Sequence, residues 1–386
     1  MAQLFTPYTL RGMHARNRVV IPPMQQSSGI AGMASLWHLA HLVRFAMGGA
    51  GIVFVESTAV EARGRNTHGD IGLWSDAQIE PLARIAEALR QQGAVPAIQL
   101  GHTGRKAGMQ KWWTGHGGPL TQADAEQGEP PWTSVAPSAL PVGPGWPTPQ
   151  ALETTEVESL IHAWGESARR AREAGFSALE VHGAHGYLIH QFLSPVSNQR
   201  QDRFGQDRMR FALEVAEAVR REWPEDRPLF WRVSLADVVD GGLKLEEMVE
   251  LLRKLKARGV DVVDCSSGGG ISSHPTQGKS VSNSLSFRAE TAKLLREASG
   301  LQVMAVGLII TPQAAESHLQ AQQADLIAVG REALYNPNWP VHAEVALGVN
   351  HNYATWPQQY RMFLVRRAAA ADALRNRCSA ANRTCT

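Results

Sequence analysis

Apolar residues in this chain gather into eight short runs. Each run ends in polar or glycine positions and is followed by residues spaced as one face of a helix. The runs are Val19–Met24, Gly51–Ser57, Val95–Gly101, Ala178–Ala184, Pro228–Ser234, Val260–Ser267, Leu301–Gly307 and Ala324–Arg331. Most are continuous, not alternating, as strands read when helices cover a parallel sheet. Helices are predicted over Ser35–Met47, Asp76–Gln92, Glu153–Ala174, Asp207–Glu222, Leu245–Arg258, Phe287–Ser299 and Thr311–Gln322. In the third of these, Leu160, Ile161, Trp164, Ala168 and Ala171 fall at helical spacing. Thr155 with Glu158 predicts a capping box at its start, and Gly175 the left-handed residue just past its end. Pro312, after Thr311, suits a first helical position. Eight strand–helix units predict an α/β fold, a single (β/α)8 TIM barrel. A doubly wound sheet would need a nucleotide fingerprint after the first strand, and Pro22-Pro23-Met24-Gln25 is unlike one.

Two segments exceed a minimal barrel. His102 to Leu152 follows the third strand and holds Trp112, Trp113, Trp132 and Trp146, four of the chain's eleven tryptophans. Such a loop is a lid over the catalytic face or a packed surface flap. Residues 1–365 are expected to form the barrel, including capping loop 102–152, and residues 366–386 a C-terminal tail. Ala368–Leu374 could continue a helix, whereas Ser379–Thr386 is polar and expected to fray.

Composition narrows the partners. Among 386 residues, 38 Lys and Arg balance 36 Asp and Glu for a formal charge of +2. That argues against nucleic-acid binding through bulk charge. No apolar run reaches about 18 residues, so no membrane span is expected. Met1–Arg11 lacks the order of a signal peptide, and a cytoplasmic location is expected. Cysteines occur only at 265, 378 and 385. So sparse and odd a set fits a reducing compartment and cannot supply four ligands to an iron–sulfur cluster. Cys265, in the run Val262-Val263-Asp264-Cys265, reads as a buried, inert thiol.

The candidate chemistry lies at the C-terminal ends of the strands, where barrels of this kind carry their sites. The fourth ends in Val181-His182-Gly183-Ala184-His185-Gly186-Tyr187-Leu188-Ile189-His190. Histidine and tyrosine can both hydrogen-bond a carbonyl oxygen, and tyrosine can deliver a proton. Two histidines three apart could instead hold a metal, although no third ligand is obvious. His190 could simply pack. Gln99 can donate and accept at the edge of a heterocycle. Arg232, inside the apolar run Trp231-Arg232-Val233, needs an anionic or electron-rich partner: either a core salt bridge or a ligand. The last two strands end in Val306-Gly307 and Gly330-Arg331, which suit a phosphate. Ser266-Ser267-Gly268-Gly269-Gly270 could extend that cradle or form a mobile loop. Phosphate, Gln99 and Arg232 together point to a flat, phosphorylated cofactor across the barrel mouth.

These residues resemble the Old Yellow Enzyme family of FMN-dependent ene-reductases, in its thermophilic-like branch. The resemblance runs from Leu4-Phe5-Thr6-Pro7 to about Arg361. It rests on Asn17–Met24, Gly69-Asp70-Ile71-Gly72-Leu73-Trp74-Ser75-Asp76, Ile98-Gln99-Leu100-Gly101-His102-Thr103-Gly104-Arg105-Lys106, His182–Gln191 and Phe192–Arg200. It implies a barrel holding non-covalent FMN, reduced by NADPH or NADH and reoxidised by an electron-poor alkene. It implies that Pro23, Met24, Gln25, Ser57, Gln99 and Arg232 line the isoalloxazine, and that Val306, Gly307, Gly330 and Arg331 hold the phosphate. His182 and His185 would bind a carbonyl or nitro oxygen, with Tyr187 the proton donor and Gln25 and Ser27 facing the substrate. It further implies a homodimer or higher oligomer in which Arg361 reaches the neighbouring subunit's site. The sequence departs from the family's pattern in four places. Gln25 stands where the branch typically has Cys, and Ser27 where Tyr is common. The run Asp202-Arg203-Phe204-Gly205-Gln206-Asp207-Arg208 is about three residues short, and the loop after strand three is long. A specialised flavin dehydrogenase, a metal-dependent lyase or isomerase using His182 and His185, and a non-catalytic flavin-binding module are the other readings.

Overall fold

A computed structural model describes residues 2–114, 117–234, 237, 239–266, 285–350 and 352–381. Eight parallel strands close into a barrel in chain order, each hydrogen-bonded to the next and the last to the first. They are Val19–Ile21, Ile52–Ala59, Val95–Gly101, Ala178–Gly183, Leu229–Ser234, Val262–Ser266, Gln302–Val306 and Leu326–Ala328. The first stops three residues earlier than its apolar run because Pro22 and Pro23 have no N–H for the ladder. Of the run Ser266–Gly270 expected to extend the phosphate cradle or form a mobile loop, Ser266 ends the sixth strand and residues 267–270 lie outside the described residues.

Alternation of side chains decides what the barrel contains. Val20, Ile52, Phe54, Ala97, Ala178, Phe230, Val262 and Met304 form one apolar cluster inside it. Residues of the opposite parity, such as Leu179, Val181, Val233 and Val263, join the cluster shared with the helices. Moving two residues along each inward row replaces the apolar layer with Gln99, Glu180, Arg232 and Asp264, then His182, Ser234 and Ser266. An N-terminal hairpin, Tyr8–Leu10 with Met13–Ala15, contributes Tyr8, Met13 and Ala15 to the inner cluster and plugs the opposite end. Its three-residue strands are too short to show as apolar runs.

The covering helices are Leu36–Met47, Ile79–Gln91, Thr154–Glu173, Arg210–Glu222, Leu245–Lys256, Leu285–Ser299 and Pro312–Gln320, with two short helices, Arg331–Tyr335 and Trp339–Ala346, after strand eight. The capping box of the third helix is formed by Glu153 and Glu156, not by Thr155 and Glu158. The Glu153 N–H donates to Glu156 Oε2 at 2.9 Å, and Glu158 pairs with Arg203 instead. Starting there puts Val157, Leu160 and Trp164 on the buried face. Gly175 follows its end at φ +84°, the left-handed conformation glycine adopts freely. Pro312 occupies the first turn after an N-cap Thr311 whose hydroxyl accepts from the Ala314 N–H.

The segment between the third and fourth strands is hydrogen-bonded into place, with a short helix Gln122–Glu126 and a two-strand ladder of Val135–Ala136 with Gln150–Ala151. Trp132 packs against the His68 ring and donates from Nε1 to the Arg63 carbonyl at 3.1 Å, while Trp112 and Trp113 are exposed. The chain's last described element is the helix Gln358–Ala381, which leaves Tyr360, Met362, Phe363, Val365 and Leu374 to solvent. No helix among the described residues is long and apolar enough to cross a membrane.

Candidate active site

The floor of the site is the polar layer inside the barrel. Strand register sets Gln99 beside Glu180, and Arg232 between His182 on one neighbour and Asp264 on the other. Gln99 Nε2 donates to Glu180 Oε1 at 2.7 Å, and Arg232 Nε lies 3.2 Å from Asp264 Oδ2. Burial pushes the Glu180 carboxyl well above its usual range, Asp264 adding to this and Arg232 opposing it. Burial raises Asp264 too, against the same arginine. One guanidinium between two carboxyls favours Asp264 as the ion-paired carboxylate and Glu180 as the neutral acid. Arg232 therefore satisfies both readings of its sequence context: it has a core partner and also lines the cavity above. Glu180 and Asp264 escaped sequence reasoning, although a lone charge inside an apolar strand marks them as it marked Arg232.

Above the floor, the fourth strand ends in a tight turn bearing His182, His185 and Tyr187. His185 takes φ +61°, uncommon for a residue with a Cβ. Its N–H donates to Ser234 Oγ at 2.8 Å. His190, from the following helix Leu188–Leu193, anchors the turn. The Gly186 N–H donates to His190 Nδ1 at 2.9 Å, and His190 Nε2 lies 3.0 Å from Asp237 Oδ1. The two site imidazoles face each other, His182 Nε2 and His185 Nδ1 being 3.1 Å apart, and His185 Nε2 is 2.6 Å from Ser266 Oγ. His182 Nδ1 accepts from the Ala184 N–H at 3.3 Å. This network assigns the proton to Nε2 on both rings. Burial, helped by the Arg232 charge, holds both imidazoles well below their ordinary pKa. Both are neutral near pH 7, each with one N–H to give. The Tyr187 ring centroid lies 4.7 Å from that of His182 and 6.2 Å from that of His185. Its phenol is pushed up by burial first and by the Asp70 charge second. Lys106, buried, donates to the His185 carbonyl at 2.7 Å and is lowered by burial to about 7.

Beside this cluster opens a cavity of about 530 Å³ lined by Pro22, Pro23, Met24, Arg232, Ser266, Val306, Gly307, Gly330 and Arg331. Its volume falls in the about 300–1,000 Å³ range of cofactor sites. Gly307 at φ +110° turns the chain at one end of it. Arg232 Nε, buried and without a well-aligned acceptor, belongs to its polar wall. A wall of Pro22, Pro23 and Met24, an arginine within it and a Gly307–Gly330–Arg331 end fit a flat ring carrying a phosphate.

The remaining predicted residues lie elsewhere. Gln25 and Ser57 line a smaller cavity together with Tyr187. Gln25 Nε2 is 3.3 Å from Glu56 Oε1, while Glu56 Oε2 accepts from the Gln26 N–H at 3.0 Å and lies 3.6 Å from His38 Nε2. Burial raises Glu56 to about 7, His38 opposing it. Ser27 is buried at φ +46°, its Oγ 3.4 Å from Asp70 Oδ1, and lines neither cavity. Arg361 is exposed on the C-terminal helix and lines neither cavity. Among the described residues, no group of three or more His, Cys, Asp or Glu could hold a metal. Cys265 is buried and its thiol pushed up, as an inert core cysteine is.

Residues 3–350 match the model of the NADH:flavin oxidoreductase / NADH oxidase family. The NADPH dehydrogenase of Geobacillus thermodenitrificans is 37% identical over 351 residues, covering 90% of this chain and 95% of that one. Morphinone reductase shares the fold at a TM-score of 0.72 and 25% identity, over 92% of each chain. A 2-naphthoyl-CoA reductase shares it at 0.78 and 22% identity, this chain spanning 52% of that one. The chain therefore belongs to the NADH:flavin oxidoreductase / NADH oxidase family, in the thermophilic-like branch of the Old Yellow Enzymes, and is an NAD(P)H:flavin oxidoreductase.

Proposed function

We propose that this enzyme binds FMN without a covalent link, takes electrons from NADPH or NADH, and reduces the activated C=C bond of α,β-unsaturated carbonyl or nitro compounds. The observation that carries the reading is the clustering of neutral His182 and His185 with Tyr187 beside a cavity whose far end holds Gly307, Gly330 and Arg331. The NADPH dehydrogenase named above supports the reductant. FMN, when bound, supplies hydride transfer, chemistry no side chain here can perform. Pro23, Met24 and Arg232 would contact its ring, and Val306, Gly307, Gly330 and Arg331 its phosphate.

The chain's own residues do the rest. A substrate oxygen accepting the His182 Nε2–H would displace His185 from that bond. His185 could then turn its own N–H to the same oxygen. Two neutral donors aimed at an oxygen that gains charge stabilise the enolate-like state more than the ground state. Tyr187, neutral because its phenol is pushed up, holds the proton needed at the α-carbon. The test is direct. Purified protein should be yellow and release FMN, not FAD, on heating. NADPH should bleach its flavin band, and cyclohexenone or maleimide should restore it. A colourless protein, or a flavin that NAD(P)H does not reduce, would overturn the reading.

A further inference from the structure

The turn that carries His185 and Tyr187 is tied down by side chains from other parts of the chain. Ser234 Oγ accepts from the His185 N–H, and Lys106 Nζ donates to the His185 carbonyl. Gln191 Nε2 donates to the Gly186 carbonyl at 2.7 Å, and His190 Nδ1 accepts from the Gly186 N–H. A residue with a Cβ stays in the left-handed region, as His185 does, only where its surroundings hold it there. The His190 tie reaches furthest into the protein.

A backbone N–H can only donate, so His190 Nδ1 bears no proton and the ring carries its proton on Nε2. That nitrogen lies 3.0 Å from Asp237 Oδ1, and both side chains are fully buried. Neither atom has another partner among the described residues. Asp237 Oδ2 accepts from the Ser194 hydroxyl at 2.5 Å and from the Leu243 N–H at 2.9 Å. The Asp237 N–H donates to the Leu243 carbonyl at 3.0 Å, which closes the loop and fixes the carboxyl. An N–H that can only donate thus faces each oxygen, an arrangement that suits a carboxylate. Burial opposes its ionisation, but the hydrogen bonds from His190, Ser194 and Leu243 outweigh burial and hold it below the ordinary aspartate range. Arg105 and Lys106 both feel its negative charge.

We propose that Asp237 and His190 are a positioning pair for alkene reduction: the Asp237 carboxylate fixes the proton of His190 on Nε2, which leaves Nδ1 free to hold the Gly186 N–H and so sets the turn that aims Tyr187. The proposal rests on the reading of Tyr187 as proton donor. Neither residue of the pair lines either cavity, so both act through the turn. The chemistry of an amide shows why the carboxylate matters. Asp237→Asn keeps the shape but has one oxygen. With that oxygen towards the Leu243 N–H, its NH2 opposes His190 Nε2–H. The ring escapes by moving its proton to Nδ1, which then opposes the Gly186 N–H. With the amide reversed, its NH2 opposes the Leu243 N–H instead. Either way one buried donor loses its acceptor.

The test has a spectroscopic arm and a kinetic arm. Nitrogen-15 NMR of the unaltered holoenzyme, with the His190 signals assigned by their loss in His190→Asn, should show Nε2 protonated and Nδ1 bare. A proton on Nδ1 overturns the proposal. In Asp237→Asn, reoxidation of the reduced holoenzyme by cyclohexenone should slow about 10–100-fold, the order that misplacing a reacting group by about 1 Å costs. Reduction by saturating NADPH, which needs no proton from Tyr187, should change little. His190→Asn, whose amide oxygen can still accept from the Gly186 N–H, should be slowed less than His190→Leu, and Asp237→Asn should add nothing to His190→Leu. Unchanged reoxidation in Asp237→Asn, or equal slowing of both half-reactions, overturns the positioning role. If Asp237→Asn does not fold, the tautomer in the unaltered protein and the two His190 variants still decide. Tyr187→Phe separates the two ideas. If its reoxidation is not slowed, the reading of Tyr187 itself fails; if it is slowed while Asp237→Asn reoxidises normally, only the positioning pair fails.

Discussion

Tyr187 and Gln25 carry the residue-scale predictions. On the proposed reading, Tyr187→Phe removes the proton that the cluster offers to the substrate's α-carbon. Reoxidation by a weakly activated alkene should slow by about 10²–10⁴-fold, the usual contribution of a general acid, with little change in reduction by NADPH. Rapid mixing of each half-reaction separately checks this; equal slowing of both would make Tyr187 a wall of the pocket. Gln25 is held by its amide against Glu56 and presents a dipole where the branch has a thiol. Gln25→Cys should therefore shift the flavin midpoint potential, read by dye equilibration, while the protein stays folded. Glu56 gives a pH signature. Its folded pKa of about 7 lies above the ordinary 4.5 of a glutamate, so the folded state binds the extra proton. Stability is then greatest below about pH 4.5 for this group and falls as pH rises towards 7. The loss is on the order of 3 kcal/mol at about 1.4 kcal/mol per unit. Glu56→Gln should flatten that part of the profile of urea midpoint against pH.

At the scale of elements, the strands aim the chemistry and the helices hold the strands. The helix Thr154–Glu173 follows the long loop and lies against the helix Arg210–Glu222. Gly165 sits buried at their contact, where a Cβ would come 3.2 Å from the Ala218 carbonyl oxygen. A mid-helix glycine costs about 1 kcal/mol relative to alanine, and this close approach is what keeps it there. Gly165→Leu should destabilise the protein by about 1–3 kcal/mol through overpacking. It should leave the flavin spectrum of the folded fraction unchanged, since the site lies at the strand ends. Thermal unfolding followed at the flavin and at the tryptophans would show both.

Assembly belongs to the scale of the whole molecule. The C-terminal helix exposes Tyr360, Met362, Phe363 and Val365, and Arg361 with them. Apolar side chains left to water on a helix this long are stabilised by a partner surface. A symmetric dimer, the commonest oligomer, would present both tails reciprocally. The full chain should sediment as a dimer or larger. A chain ending at Gln359 should lose mass per particle and show a raised KM for the alkene. A monomeric full-length protein would remove Arg361 from any shared site.

The barrel was legible along the chain because its signals are local. Apolar runs such as Val95–Gly101, helical spacing from Leu160 to Ala171, and breakers such as Gly175 each act within about twenty residues. The strand-end residues were legible too, since a barrel must bring His182, Arg232, Gly307 and Arg331 to one face. The capping pair Glu153–Glu156 was missed because two overlapping motifs compete within one turn, and burial of Val157 and Leu160 selects between them. Other properties have no local signature. Gln99 meets Glu180 across 81 positions, and Arg232 meets Asp264 across a strand pair. Gln25 and Ser57, expected beside the same ring as Pro23 and Met24, line the small cavity with Tyr187 and Asp70. Whether a carboxyl is ionised, which imidazole nitrogen holds its proton, and where a small cavity remains all depend on neighbours distant in sequence. Desolvation and packing are set by the atoms that surround a group, and the folded chain alone decides which atoms those are.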